Sequence, residues 1–414
     1  MKIPFSPPDL TDAEIEEVAS AIKSGWITTG PKTKELEREV AALCHTNKAV
    51  CLSSQTSCAE MALRLLGIGE GDEVIVPAYT YTASAEIVCH VGARLIFIDS
   101  QPDSLEMDYD TVEKAITDKT KAIIPVDIGG VPCDYDRIFS IVEKKKELFT
   151  PSNDIQSKFG RIIVCADTAH AFGSTWYGKP IGSVADFSAF SFHAVKNFTT
   201  AEGGALTWKP REDLNDEEIY NQVQLYSLHG QSKDALSKNQ LGAWEYDILG
   251  PWYKCNMTDI HAAIGLAQME RYPALLKRRR EIIEKYDRAF KPLGVHTLPH
   301  FTDEHISSGH LYLTRIFKKN GEPVSDGERR EIIIKLAERG ITTNVHYKPL
   351  PMMTGYKKLG FDIKDYPNAY AHYANEISLP LFSRLTDEVW IMLGSLIENI
   401  YISVLYCLTY LIRI

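Results

Sequence analysis

The 414-residue chain lacks several features that would assign it quickly. None of its eight cysteines (Cys44, Cys51, Cys58, Cys89, Cys133, Cys165, Cys255 and Cys407) forms a C-x-x-C pair. Most sit in apolar runs such as I-I-V-C-A-D, which excludes a zinc ribbon or a dithiol redox centre and fits small buried side chains in a reducing compartment. There is no internal repeat and no low-complexity tract. The N-terminus, M-K-I-P-F-S-P-P-D-L, carries no signal-peptide core, so a cytoplasmic protein is expected. The apolar tail I-Y-I-S-V-L-Y-C-L-T-Y-L-I-R-I falls short of the roughly 20 residues that span a bilayer, and it reads as a buried terminal strand or helix, or as a divergent end. Basic excess is missing too: 45 Lys and Arg stand against 55 Asp and Glu, a formal charge of −10. That balance argues against nucleic acid or an anionic membrane as partner, while leaving room for a local phosphate pocket.

What is present is an alternation of short apolar runs and helical segments. From Ala49 the strand-like pieces are A-V-C-L, V-I-V-P, L-I-F-I-D, A-I-I-P-V and R-I-I-V-C-A-D, with helices between them, the first expected over Cys58–Leu66. Strands apolar on both faces, separated by helices, predict a mostly parallel sheet covered on both sides. The expected fold class is therefore α/β, a three-layer α/β/α large domain over residues 1–270. A smaller α+β domain is expected over residues 271–414, with L-Y-L-T-R-I-F and I-T-T-N-V-H-Y as strands. Thr11 caps a first helix that Gly25 ends, and G-W-I-T-T-G-P-K-T reads better as a turn between helices than as a pocket loop. Helices are expected at Met257–Arg271 and Ala274–Phe290, and Asp213–Gly250 is weakly patterned.

In parallel sheets the ligand sits beyond the carboxyl ends of the strands. Those ends here read S-S-Q-T-S, P-A-Y-T-Y-T, D-I-G-G and D-T-A-H, so polar groups gather where a site belongs. The stretch Phe187–Trp208, F-S-A-F-S-F-H-A-V-K-N-F-T-T-A-E-G-G-A-L-T-W, reads as two buried strands joined by a polar loop with one lysine, Lys196. Dry surroundings lower a lysine's pKa, and a neutral amine can attack an aldehyde such as that of pyridoxal 5′-phosphate (PLP). Asp167, at a strand end, could hold a pyridine nitrogen protonated, although a helix-capping role fits the local pattern equally well. S-S-Q-T-S-C-A-E opens a helix directly after a strand; its free N–H groups and the hydroxyls of Thr56 and Ser57 suit a phosphate, though ordinary capping is the commoner use. Ser191 adds a hydroxyl. Tyr81 could cover a flat ring, and His170 stands three residues past Asp167; a core aromatic and a structural histidine are the plain alternatives.

In order and spacing these segments resemble the DegT/DnrJ/StrS group of nucleotide-sugar aminotransferases, PLP enzymes of the aspartate-aminotransferase fold. The similarity covers about residues 7–397 and includes G-D-E-V-I-V-P-A-Y-T-Y-T-A, D-T-A-H-A-F-G-S, S-F-H-A-V-K-N-F-T-T-A-E-G-G-A and Y-K-C-N-M-T-D-I-H-A-A-I-G. The resemblance implies Lys196 as the Schiff-base lysine and proton shuttle, Asp167 as the partner of the pyridine nitrogen, and Tyr81 stacked on the ring. It implies Thr56, Ser57 and Ser191 on the phosphate, His170 near ring and substrate, and Asn256 reaching the phosphate of a neighbouring subunit in a homodimer with shared sites. Substrates would be an amino-acid donor, expected to be glutamate, and a nucleotide-linked keto-sugar; D-T-A-H and S-F-H-A-V-K lie nearer to relatives acting at C-4 of a 4-keto-6-deoxy sugar than to those acting at C-3. Two departures stand out: S-S-Q-T-S replaces a glycine-containing phosphate turn, and the terminal tail has no counterpart. A PLP- or PMP-dependent sugar dehydratase on the same scaffold and a non-catalytic nucleotide-sugar sensor are the rivals. Lys196, which such dehydratases replace with histidine, favours amino transfer.

Overall fold

The computed structural model describes residues 2–232, 245–318 and 320–405. Its centre is a seven-stranded sheet in the order β1-β7-β6-β5-β4-β2-β3, where β1 is Ala49–Leu52, β2 Glu73–Pro77, β3 Arg94–Ile98, β4 Thr120–Ile123, β5 Ile163–Asp167, β6 Phe187–Ser191 and β7 Gly204–Trp208. Neighbours from β3 across to β6 pair in parallel. Only β7 runs against the rest, antiparallel to both β6 and β1. The expected α/β class with a mostly parallel sheet is what forms.

Alternation along the strands builds two cores, because successive side chains point to opposite faces. Val50, Leu52, Val74 and Val76 join one apolar cluster, while Ala49, Cys51 and Ile75 join the other. Each face is therefore covered, and each fully buried Val, Leu or Ile contributes about 1.5–3 kcal/mol. The covering helices are set by local chemistry. α1 (Asp12–Ser24) starts at a capping box between Thr11 and Glu14 and stops at left-handed Gly25. α2 (Pro31–Cys44) has no cap from its own N-cap Gly30; the buried Asp259 carboxylate accepts from the N–H groups of Gly30, Lys32 and Thr33 instead. α3 (Gln55–Leu65) begins at the Ser54 cap immediately after β1, three residues before the helix expected from Cys58.

A third apolar cluster, with Ile282, Tyr286, Phe290, Tyr312, Ile332 and Ile377, lies apart from the first two. It surrounds a three-stranded antiparallel sheet, β8 (His296–Thr297), β9 (Tyr312–Arg315) and β10 (Glu376–Leu379), with β9 central. Three expectations change here. Met257–Arg271 and Ala274–Phe290 are not two helices but one, Asp259–Phe290, running through Pro273. Proline removes one helix hydrogen bond and clashes with the preceding turn, yet Tyr272 and Leu275 on either side of it are buried in the core, so packing overrides the local break. I-T-T-N-V-H-Y is not a strand; it contributes only isolated bridges, Ile3 to Ile341 and Asn344 to Ser378. The weakly patterned Asp213–Gly250 contains a helix, Asp216–Ser227, capped by Asn215; residues 233–244 of that stretch lie outside the described residues. The last helix continues to Leu405 with Tyr401 fully buried, so the first part of the apolar tail is helical. Residues 406–414, Cys407 among them, lie outside the described residues. Among the described residues, no helix is long and apolar enough to cross a membrane, and no His, Cys, Asp and Glu cluster could hold a metal.

Candidate active site

The carboxyl ends of the parallel strands and the loops after them enclose a cavity of about 350 Å³. It gathers Lys196, Asp167, His170, Tyr81, Thr56 and Ser191, together with Ser54, Gln55, His310, His346 and Tyr347. Two expected residues lie elsewhere. The Ser57 hydroxyl turns back to the backbone N–H and carbonyl of Ser54, completing the helix cap. Asn256 does not line the cavity; its amide donates to the Thr29 hydroxyl at 2.6 Å and to the Met257 carbonyl at 3.3 Å. The G-W-I-T-T-G-P-K-T segment is likewise absent from the lining and serves as the turn between α1 and α2.

Asp167 ends β5 and is buried. Desolvation raises its pKa, opposed by the Ser84 hydroxyl at 2.6 Å, the Ala169 N–H at 3.1 Å and the charge of Lys196. Ser84 also bonds Thr80 at 2.9 Å, which fixes its hydroxyl. Lys196 sits half-buried in the β6–β7 connection, and desolvation lowers its amine to about pKa 8 against the opposing pull of Asp167. Among the described residues no carboxylate comes within ion-pair distance of it, so part of the amine population is neutral near pH 7.

The imidazoles have their proton positions set by neighbours. Burial pushes His170 and His310 well below the ordinary histidine range, so both are neutral. The Gly129 N–H donates to His170 Nδ1 at 3.1 Å, which leaves the proton on Nε2. That nitrogen donates to Tyr347 Oη at 3.1 Å, and the Tyr347 proton is left free to point into the cavity. Asn197, the residue after Lys196, donates its amide to the Ser308 carbonyl, so its oxygen accepts from His310 Nδ1 at 2.9 Å. His310 Nε2 thereby presents a bare lone pair. Tyr81 is 59% exposed at the mouth, with its ring 5.9 Å from that of Tyr347.

PLP fits these residues. A flat phosphorylated pyridine needs an acid at its nitrogen, an amine at its aldehyde and a cradle for its phosphate. Asp167 and Lys196 supply the first two from adjoining walls. At the start of α3 the buried Gln55 side-chain amide nitrogen has no partner among the described residues, and it stands beside Thr56 and the first N–H groups of the helix, a disposition that favours an anion. Gly204 lets β7 touch this helix start: a Cβ there would meet Gln55 N and the Ser54 carbonyl carbon at 2.5 Å. Sequence reasoning missed Ser84, Gln55, Asn197, His310, His346 and Tyr347. The S-S-Q-T-S turn already contained Gln55, the lysine loop contained Asn197, and Ser84 directly follows P-A-Y-T-Y-T-A; His310, His346 and Tyr347 come from segments with no local signal.

The DegT/DnrJ/EryC1/StrS aminotransferase family model matches residues 8–393. This chain belongs to that family. It is 36% identical over 389 residues to the spore coat polysaccharide biosynthesis protein SpsC of Bacillus subtilis (strain 168), covering 93% of this chain and 94% of that protein. Spr1654 from Streptococcus pneumoniae, a protein assigned as a sugar aminotransferase, superposes in its PLP form with a TM-score of 0.93 at 54% identity, covering 98% of this chain and 100% of that one. Its PMP form gives a TM-score of 0.94 at 56% identity, covering 97% and 100%. Helicobacter pylori PseC, an aminotransferase of pseudoaminic acid biosynthesis, gives a TM-score of 0.83 at 27% identity, covering 97% of this chain and 100% of that one. As a member of the family, the protein is a PLP-dependent sugar aminotransferase.

Proposed function

We propose that this aminotransferase moves an amino group from glutamate to the keto carbon of a nucleotide-linked sugar, C-4 of a 4-keto-6-deoxyhexose, in the assembly of a surface polysaccharide. PLP is its cofactor. The observation that carries the reading is one cavity lined by Lys196, Asp167 and a Gln55 side-chain amide that is unpartnered among the described residues. The D-T-A-H motif and the polysaccharide role in the name of SpsC support the sugar as acceptor. The cytoplasm, where activated sugars are made, is the proposed location, and neither nucleic acid nor membrane is proposed as a partner.

Bound PLP supplies a protonated pyridine ring that draws electrons from the carbon losing its proton. The rest falls to the protein. Asp167, whose charged form Ser84 and Ala169 favour against the cost of burial, holds the ring nitrogen in its protonated form. Lys196 carries the proton from one carbon to the next, a task suited to an amine whose pKa lies near 8. Gln55, Thr56 and Ser191 hold the phosphate, with Ser57 locking the turn beneath them; Tyr81 covers the ring face and excludes water. Tyr347, oriented by His170, donates a hydrogen bond to substrate oxygen. Residues 1–270 form the cofactor-binding domain in this proposal and residues 271–414 the smaller one that closes the substrate side. Two chains pair as a homodimer, with Asn256 reaching the phosphate site of the neighbouring chain.

Incubating the protein with PLP, glutamate and a panel of keto-sugar nucleotides, then locating the new C–N bond by NMR, tests the substrate. Deoxysugar without nitrogen incorporation would reassign the enzyme as a dehydratase, and tight sugar binding with no change in cofactor absorbance would make it a sensor. Lys196→Ala is expected to lose the absorbance band that arises from the covalent bond between Lys196 and PLP and to lower turnover by ~10³-fold or more. Ordinary multiple turnover in that variant would refute the assignment.

A further inference from the structure

Glu376, at the start of β10, borders a second cavity of about 620 Å³ together with Arg315, Glu106 and His296. Glu376 and Ser378, two residues apart on a strand, share a face, and both are fully buried. Ser378 Oγ lies 2.6 Å from Glu376 Oε1 and 2.8 Å from His346 Nδ1. The other carboxyl oxygen, Oε2, accepts the His346 backbone N–H at 2.8 Å. His346 lines the active-site cavity, and among the described residues its Nε2 has no hydrogen-bond partner. An unbroken chain of donors and acceptors thus links the buried Glu376 carboxyl to the active-site cavity.

We propose that Glu376, Ser378 and His346 form a proton relay that lends the buried Glu376 proton to the substrate oxygen in the active site and afterwards takes one back. The inference deepens the proposed amino transfer and rests on that reading for its substrate. Because Oε2 is occupied by an N–H, the Glu376 proton resides on Oε1. From there it is donated to Ser378, Ser378 donates to His346 Nδ1, and the imidazole proton stands on Nε2. With Glu376 ionised the direction reverses: Ser378 donates to Oε1, His346 donates from Nδ1, and Nε2 is bare. When the sugar's carbonyl oxygen leaves as water it gains two protons, and the incoming nitrogen releases two. One passes directly between these atoms; the other goes to the Lys196 amine while His346 Nε2 delivers its equal to the oxygen. Nδ1 then takes the Ser378 proton and Ser378 takes the one from Oε1, which leaves Glu376 ionised and Nε2 bare. Once water has departed, the proton held by Lys196 passes to Nε2 and the chain runs back, restoring the neutral amine and the Glu376 acid together.

The groups facing Glu376 keep both forms within reach. Burial raises its pKa to about 8, opposed by Ser378, the His346 N–H and Arg329 of the helix Asp326–Glu338. Arg315 stands opposite it on β9, and Tyr79, Tyr347 and Tyr401 are the phenols within its field. His346, lowered to about 4 by burial and by Lys196, stays neutral throughout and so changes tautomer rather than charge.

The test is 15N NMR of histidine-labelled, cofactor-free enzyme between about pH 6 and 10, with the His346 signals assigned by their loss in His346→Asn. The expected result is a proton on Nε2 below about pH 8 and on Nδ1 above it. Glu376→Gln, whose amide mimics the protonated acid, should hold the Nε2–H form at every pH, and Ser378→Ala should remove the switch. Ser378→Ala should also lower kcat by ~10–100-fold with little change in KM. A wild-type His346 that keeps one tautomer throughout, or a switch that survives in Ser378→Ala, would overturn the relay. If the switch is present but no keto-sugar is aminated, the proposed substrate fails and the relay stands; if Ser378→Ala does not fold, the wild-type and Glu376→Gln titrations still decide.

Discussion

Lys196 and Asp167 were readable from sequence because each ends or follows an apolar strand, where a parallel sheet collects its ligand groups. The groups that tune them were not. Ser84 reaches Asp167 across 83 residues and Tyr347 reaches His170 across 177, approaches that only tertiary packing creates. The depressed amine carries a prediction. Below its pKa of about 8 the neutral fraction of Lys196 rises with pH, so the rate of covalent PLP capture by cofactor-free enzyme should rise about tenfold per pH unit and level off above pH 8. Rapid-mixing absorbance over that range checks it; a flat profile would mean the amine is already neutral at pH 6. A second prediction concerns the hydroxyl that His170 orients. Tyr347→Phe keeps the ring beside Tyr81 and removes only the donor, so it should bind PLP normally while kcat falls by ~10–100-fold. Equal loss of PLP affinity and kcat would place the hydroxyl on the cofactor rather than on substrate oxygen.

At the scale of elements, the sequence identified strands better than helix ends. Runs such as I-I-V-C-A-D are apolar on both faces and have no competing reading. The start of α3 moved because Ser54, not a residue near Cys58, provides the cap. Pro273 suggested a break where buried neighbours hold one helix of 32 residues. I-T-T-N-V-H-Y had strand-like composition but no partner for most of its length, and this non-strand backbone is what carries His346 and Tyr347 to the cavity. The contact between β7 and the head of α3 is the most demanding of these junctions, since no side chain fits at Gly204. The atoms a Cβ would strike there, Gln55 N, the Ser54 carbonyl carbon and the Phe190 carbonyl oxygen, all belong to backbone and cannot swing aside. Gly204→Ala should therefore push the helix start off the sheet, costing about 1–3 kcal/mol of stability. PLP affinity should fall more than this general loss accounts for. Urea unfolding and PLP titration on one variant separate the two effects; unchanged PLP affinity would mean that the head of α3 does not hold the phosphate.

For the whole molecule, the question is what covers the apolar surface a single chain leaves in water. On α1, Ile15 and Ile22 are 67% and 57% exposed, and a spacing of seven places them on one helix face. Ile248 and Leu249, shortly before Asn256, are about half exposed as well. The proposed homodimer would bury such groups and bring Asn256 of one chain to the phosphate site of the other, a role that its bonds to Thr29 and Met257 within one chain do not reveal. Complementation tests this without any assumption about the sugar. Lys196→Ala and Asn256→Ala homodimers should each be impaired at both sites. Refolded together, a mixed dimer has one site carrying both substitutions and one carrying neither. With random pairing half of the dimers are mixed, so about a quarter of wild-type activity should return. If each site uses its own Asn256, every site in the mixed dimer carries one substitution and no activity returns. Sedimentation of the wild-type protein gives the complementary reading, since a monomer active at the dilution of the assay would end the case for a shared site.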